Sequence, residues 1–253
     1  MKNGVGWVPV WRRNFLVWRK LAIPSLLGNF GDPLLYLLGI GYGLGALVGD
    51  VGGMPYVMFF ASGLVCSSAM NTASFEGMYS AFTRMSAQRT WDAILATPLR
   101  IEDVVLGEIV WAATKSLISS SAILVVAVLL GAVASPWALA ALPIVFLTGL
   151  VFGAIALFMT ALAPSYDFFM YYFTLVVTPM FLFSGVFFPV ATLPPVMQQI
   201  AALLPLTHAV ASVRPLMTDT PADGISTHLI VLGLFFGAFA MAACVATRRR
   251  FAK

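Results

Sequence analysis

The sequence predicts an all-α polytopic membrane protein. Six transmembrane helices are expected, with an N-terminal amphipathic helix in the membrane interface and re-entrant helices between the fifth and sixth spans. Three observations carry this. Of 253 residues, 60% are hydrophobic and only 9% are charged, with mean hydropathy +0.95. A soluble domain carries about 25% charged residues, so this chain could not cover a water-facing surface, and the bilayer must be its main solvent. The apolar residues also fall into runs long enough to cross about 30 Å of hydrocarbon, separated by short charged or proline-rich breaks.

Residues 7–22 read as the interfacial helix. At about 100° per residue, Trp7, Trp11, Phe15, Trp18 and Ala22 share one face. Arg12, Arg13, Arg19 and Lys20 lie opposite, with Leu16 out of place. Tryptophans on one side and cations on the other suit a helix lying among headgroups. The alternative, a surface helix of a soluble domain, has no soluble domain to follow it. A cleaved signal peptide fits poorly, because the charged region and the apolar run after it are both too long.

The spans are expected at about 26–48, 56–81, 102–131, 136–162, 168–187 and 226–247. Asp32–Pro33 looks like a helix start inside the first. Gly39, Gly41, Gly43 and Gly45 then suit close packing or flexing rather than a nucleotide fingerprint, since no strand precedes them. Arg248, Arg249 and Arg250 are expected to stop the sixth span. Between the fifth and sixth spans, residues 183–217 are apolar but cut by Gly185, Pro189, Pro194, Pro195, Pro205 and Pro215. The pieces are too short to span, so short re-entrant or interfacial helices are expected at about 195–204 and 206–214.

Lysine and arginine placement sets the orientation. Five precede the first span, three lie in 82–101 and four follow the sixth span. Both termini, the 82–101 loop and the 163–167 turn are then cytosolic, and 188–225 lies on the far side.

The sequence has no Walker A pattern, no HExxH, no GxSxG and no carboxylate pair spaced for acid–base work. It therefore reads as no enzyme, with no cofactor or metal bound by the chain itself. Cys66 and Cys244 sit in apolar runs and read as small packing hydrophobes. His208 and His228 read as polar loop residues. The charges inside spans need reasons, because each costs about 2.5–3.5 kcal/mol at the centre of the bilayer. Asp32, Glu76 and Glu108 lie within a turn or two of the cytosolic boundary, where snorkelling or capping is the plain reading. Lys115 is deeper and invites a contact with a headgroup or a carboxylate. Tyr36, Phe75, Tyr79, Phe173 and Phe181 read as packed or lipid-facing, or, with Glu76, as the wall of a path for an amphiphile.

The loop is more specific. Thr90 is expected to cap a short helix over 91–96, with Trp91, Ile94 and Leu95 at helical spacing and Arg84, Arg89 and Arg100 flanking it. Thr97–Pro98 is then expected to end it and start the next helix, with Glu102 and Asp103 near that N-terminus. An exposed tryptophan and leucine on a cytosolic helix call for a protein groove; a helix resting on headgroups is the other reading.

RTWDAILATPL, and later FSGVFFP…LP…LLPLTHAV…RPL, resemble the type-2 ABC transporter permeases. FGDPLLYLLGIGYGLG and ASFEGMYSAFTRM are most similar to the permeases of that family that export nodulation factors, which are lipo-chitooligosaccharides. The resemblance covers nearly the whole chain. It implies half of a membrane domain in the bacterial inner membrane, a second copy of the same chain, and two copies of a separate NodI-like ATPase subunit that binds ATP and magnesium. It implies that 86–97 is the coupling helix, with Arg89, Thr90, Trp91, Asp92, Ile94 and Leu95 at the ATPase contact. It implies a substrate path along the first, second and fifth spans, with Tyr36, Phe75, Glu76, Tyr79, Lys115, Phe173 and Phe181 as candidates. Membrane lipid is the other expected partner, and nucleic acid is not one. The competing reading is a proton-coupled transporter or flippase with Glu76, Glu108 and Lys115 as a relay; no inverted repeat supports it. A membrane-embedded enzyme lacks any polar constellation.

Overall fold

A computed structural model of the chain describes residues 5–20, 22, 34–221 and 224–252. In order, the helices are α1 (Trp7–Arg19), α2 (Leu34–Val48), α3 (Tyr56–Ala87), α4 (Thr90–Leu95), α5 (Ile101–Leu129), α6 (Pro136–Leu162), α7 (Asp167–Phe183), α8 (Pro195–Ala202), α9 (Pro205–Thr218) and α10 (Ile225–Phe251). Among the described residues, α3, α5, α6 and α10 are long and apolar enough to cross a membrane. α2 and α7 are apolar but only 10–17 residues long. α8 and α9 form a pair bent by 86° that could count as one further span. The chain is a multi-pass membrane protein by this measure, with four or five candidate spans among the described helices. Residues 26–33 of the expected first span, with Asp32–Pro33, lie outside the described residues.

Three span ends differ from expectation by four or more residues. α3 continues through Ala87, six residues beyond the expected end. Its last stretch contains π turns over Glu76–Ser80 and Thr83–Ala87, which an apolar pattern does not reveal. α10 runs on to Phe251, so Arg248–Arg250 form part of its last turns rather than a stop. Cations at a helix C-terminus oppose the negative end of the dipole and need not break the helix. α7 ends at Phe183 because Gly185 takes φ +78°, a conformation that turns the chain. One unforeseen element follows α2: a β-hairpin pairing Val51 with Met54, turned by Gly52 and Gly53, both at positive φ.

In hydrocarbon, helices gain little from excluding lipid, so packing depends on how closely their backbones approach. The central contacts follow that rule. A Cβ on Gly77 of α3 would stand 2.6 Å from the Ala156 Cβ of α6. One on Gly149 of α6 would stand 2.9 Å from the Ala113 Cα of α5. One on Gly63 of α3 would stand 2.8 Å from the Val186 Cα. Of the four alternating glycines in α2, Gly41 and Gly45 approach Val57 and Tyr56 of α3, while Gly39 faces open space.

α1 packs along α5, where Gly107 leaves room for Val10 and the Trp7 carbonyl. The Trp11 indole donates to Thr114 Oγ1 at 3.0 Å, and Phe15 and Trp18 meet Trp111 at 6.5 and 6.1 Å. The aromatic face of α1 is therefore turned largely onto protein. Leu16 is exposed, as its misplaced position on the helix requires.

Contacts sort the loops into two ends. Trp91 of α4 stacks on Phe251, Arg248 pairs with Glu102 at 3.3 Å, and Arg250 reaches the Ala163 carbonyl at 2.7 Å. At the other end, Ala134 N–H donates to the Met217 carbonyl, and Arg214 binds Ser62 and Gly185. This is the grouping of loops that the cation count predicts.

Candidate functional site

A plain α-helix would put Arg84, eight residues after Glu76, about 80° round the axis. The π turn over Glu76–Ser80 takes up about one extra residue, so the two side chains return to one face. There they meet α5, which presents Glu108, Trp111 and Lys115 at helical spacing.

The result is a buried ion cluster. Glu76 and Glu108 are 3% and 1% exposed. Arg84 joins them: its Nη2 is 2.9 Å from Glu76 Oε1, and its Nε donates to Glu108 Oε1 at 2.9 Å. A second Arg84–Glu108 contact makes that pairing two-pronged. Lys115 Nζ donates to Glu76 Oε2, and the Trp111 indole to Glu76 Oε1, both at 2.8 Å. From α1, Asn14 Nδ2 donates to Glu108 Oε2 at 3.0 Å. From α4, the Trp91 indole donates to Glu108 Oε1 at 3.2 Å. Two carboxylates thus meet two cations, and three neutral donors fill much of the remaining acceptor capacity. This is the condition under which buried charge is tolerated; loss of one partner is costly. Arg13 stands beside the cluster, donating to Asn14 Oδ1 at 2.9 Å. Burial first, and then the charge of Arg84, hold its pKa below the ordinary guanidinium value. A groove of about 340 Å³ between α1, α3 and α5 opens beside Glu76 and Lys115.

The cluster corrects two sequence readings. Glu76 and Glu108 do not snorkel; each is enclosed and paired. Trp91 is not offered to a groove on another protein: it is fully buried, between Glu108 and Phe251, the latter 6.1 Å away and nearly parallel. Ile94 and Leu95 are partly buried against the core. What α4 presents to solvent is Asp92, Ala93 and Ala96, preceded by exposed Arg89. Arg89 and Asp92 stand 3.8 Å apart. Thr90 is the first helical residue rather than the cap; that place belongs to Arg89, at φ +50°. Arg13 reaches Thr90 Oγ1 at 3.4 Å. The next helix begins at Ile101, where the Asp103 carboxylate accepts the Arg100 N–H at 2.9 Å.

The proposed path residues divide. Phe75, 55% exposed, stacks on Tyr79 at 4.6 Å, and both face Phe173 of α7 at 6.4 and 6.1 Å. These three form one aromatic patch. Phe181 packs instead on Phe187 at 4.8 Å, and Tyr36 stands exposed on α2. Glu76 and Lys115 belong to the ion cluster.

Sequence reasoning missed four partnerships. Arg84 appears in it only as a loop flank, and Asn14 not at all. Arg214, which the cation count leaves out, is an anchor: Nε donates to Ser62 Oγ at 2.9 Å and Nη2 to the Gly185 carbonyl at 2.6 Å, with the guanidinium 3.7 Å over the Phe59 ring. His208 and His228 meet Nδ1 to Nδ1 at 2.8 Å, joining α9 to α10. A lone polar residue in an apolar run signals that some partner exists, but not which.

Comparison with known proteins agrees with this architecture. The ABC-2 type transporter family matches residues 7–218. Nodulation protein J of Rhizobium meliloti is 48% identical over 90% of this chain and 87% of its own length. Nodulation protein J of Sinorhizobium fredii is 47% identical over 92% and 89%. The inner membrane transport permease YadH of Escherichia coli is 27% identical over 75% and 72%. The chain belongs to the ABC-2 type transporter family.

Proposed function

We propose that this chain is the membrane permease of an ATP-driven exporter that moves an amphiphilic lipid- or glycolipid-like substrate, in the class of lipo-oligosaccharides, out across the bacterial inner membrane. Family membership supports an ABC permease that works with an ABC ATPase. Similarity to Nodulation protein J over most of the chain supports the finer substrate class. Two copies of the chain would enclose the path, with two NodI-like ATPase subunits holding ATP and magnesium. Six spans, both termini in the cytoplasm and α1 in the headgroup plane complete the reading; the cation distribution supports it.

One observation carries the mechanism. α4 exposes Arg89, Asp92, Ala93 and Ala96, yet its Trp91 is fixed to Glu108 of α5 and Phe251 of α10. Glu108 is in turn held by Arg84 of α3 and Asn14 of α1. A push on α4 is therefore delivered to four helices as one body. The motion would open the side of α3 and α7 that bears Phe75, Tyr79 and Phe173, whose rings suit sugar faces and acyl chains. The proton-relay reading is not favoured: each carboxylate is already paired with a fixed cation.

The test is purification from the native host in mild detergent, with assay for a bound ATPase. The variant pair Arg89→Asp/Asp92→Arg reverses the charges α4 presents while keeping their mutual attraction. Loss of the ATPase from this variant, with retention by wild type, is expected. A folded wild type that binds no ATPase, and whose transport follows the proton gradient, overturns the reading.

A further inference from the structure

Away from the ion cluster, α6 and α10 part near the end of the molecule that carries α4. They leave a groove of about 740 Å³ walled by Phe158, Leu162, Val245 and Ala246, with Arg249 and Arg250 at its mouth. Deeper in, Phe158 meets Phe239 edge to face at 6.0 Å and closes the gap. The groove faces outward from the chain. The most apolar stretch of α10 is only 17% buried, and Leu162 and Val245 are about half exposed.

The two arginines distinguish this groove from an ordinary lipid-facing surface. Arg248 has a carboxylate partner in Glu102. Arg249 is exposed and has no acidic partner among the described residues. Arg250 donates from Nη1 to the carbonyls of Thr160, Ala161 and Ala163, at 2.9, 3.3 and 2.7 Å, where α6 ends. Those contacts fix the plane of the guanidinium but bring no formal negative charge. Its Nε and Nη2 have no acceptor among the described residues. A guanidinium held through Nη1 and set 5.5 Å over the Phe82 ring, with two further donor nitrogens left without an acceptor among the described residues, suits a phosphate. Basic residues at the mouth of an apolar gap between helices form the chemistry of an anionic lipid site.

We propose that this groove holds one anionic phospholipid. Its phosphate sits on Arg249 and the free edge of Arg250, and an acyl chain lies between Phe158, Leu162, Val245 and Ala246. Assignment to the cytosolic leaflet rests on the orientation proposed above; the site itself does not. The lipid braces the end of α10, where Phe251 supports Trp91, and so acts on the seat of α4.

Native mass spectrometry of the chain purified in mild detergent tests this, with phosphatidylglycerol and phosphatidylcholine titrated in parallel. One phosphatidylglycerol per chain is expected to bind in preference to phosphatidylcholine, and glycerol phosphate alone is expected not to displace it. Arg249→Gln weakens that binding about fivefold. Ala246→Trp fills the groove and removes the preference while leaving both arginines. A melting temperature within the wild-type range confirms that each variant is folded. Equal binding of the two lipids overturns the proposal. So does displacement by glycerol phosphate, or unchanged phosphatidylglycerol binding in both variants. None of these readouts needs the ATPase, so failure here is separate from failure of the exporter reading.

Discussion

The Trp91 indole nitrogen lies 3.2 Å from Glu108 Oε1, and both side chains are essentially removed from solvent. This hydrogen bond links the short helix α4 to the more deeply buried of the two cluster carboxylates. Trp91→Phe keeps a ring against Phe251 but loses the donor to a charged acceptor, an effect of about 1.5–3 kcal/mol, and leaves a small part of the indole's space unfilled. Trp91→Ala also leaves a cavity and costs about 3–5 kcal/mol. Thermal unfolding of the detergent-purified chain should rank wild type, Phe and Ala in that order. An alanine variant as stable as the phenylalanine variant would show that packing at Trp91 is unimportant.

Glu108→Gln leaves Arg84 half-paired and is expected to destabilise by about 3–5 kcal/mol. Adding Arg84→Met should recover part of that loss, because Glu76 keeps Lys115 at 2.8 Å. A double-mutant cycle should give a coupling of about 0.5–3 kcal/mol. Additive single effects would mean that the short distances in the cluster carry no energy.

Gly107→Val should wedge α1 away from α5. The added Cβ would stand 2.6 Å from the Val10 Cβ and 2.8 Å from the Trp7 carbonyl oxygen. Overpacking of this kind costs about 1–3 kcal/mol. A Cβ at Gly39 meets no atom within 4 Å, so Gly39→Ala serves as the control. Faster proteolysis of α1 is expected in the first variant alone.

Arg214→Lys is not a conservative change here. The guanidinium serves Ser62, Phe59 and Gly185 together and lies on the Phe59 ring. A lysine ammonium cannot reproduce that flat fork. Both Arg214→Lys and Arg214→Ala should lower the melting temperature, and ATPase stimulation by substrate should fall with it.

Phe75→Ala should behave in the opposite way. Its ring is more than half exposed, so unfolding should barely change. If the patch with Tyr79 and Phe173 meets substrate, stimulation of the ATPase by an amphiphilic lipid should drop several-fold. Equal stimulation would remove Phe75 from the path.

How much of this was legible beforehand differs by residue. The long runs behind α3, α5, α6 and α10 were readable to within a few residues at most ends, because hydrocarbon thickness imposes a length. The exceptions have causes. Ala87 and Phe251 extend their helices because a charge does not break a helix that continues beyond the apolar zone. The bend between α8 and α9 was legible from Pro194, Pro195 and Pro205. The π turn at Glu76 was not, and without it Arg84 falls on the wrong face.

The sequence by itself determined the solvent of this protein, the identity of its long helices and the location of its charged loop. Those follow from composition and run length, which are properties of neighbours along the chain. Only the tertiary structure decided that Trp91 points inward, that Glu76, Arg84, Glu108 and Lys115 are one cluster, and that Asn14 of the first helix completes it. Those depend on which faces of helices far apart in sequence meet. In a chain apolar on nearly every face, hydrophobic periodicity cannot select that face; close approach at glycine and the need to pair each buried charge do.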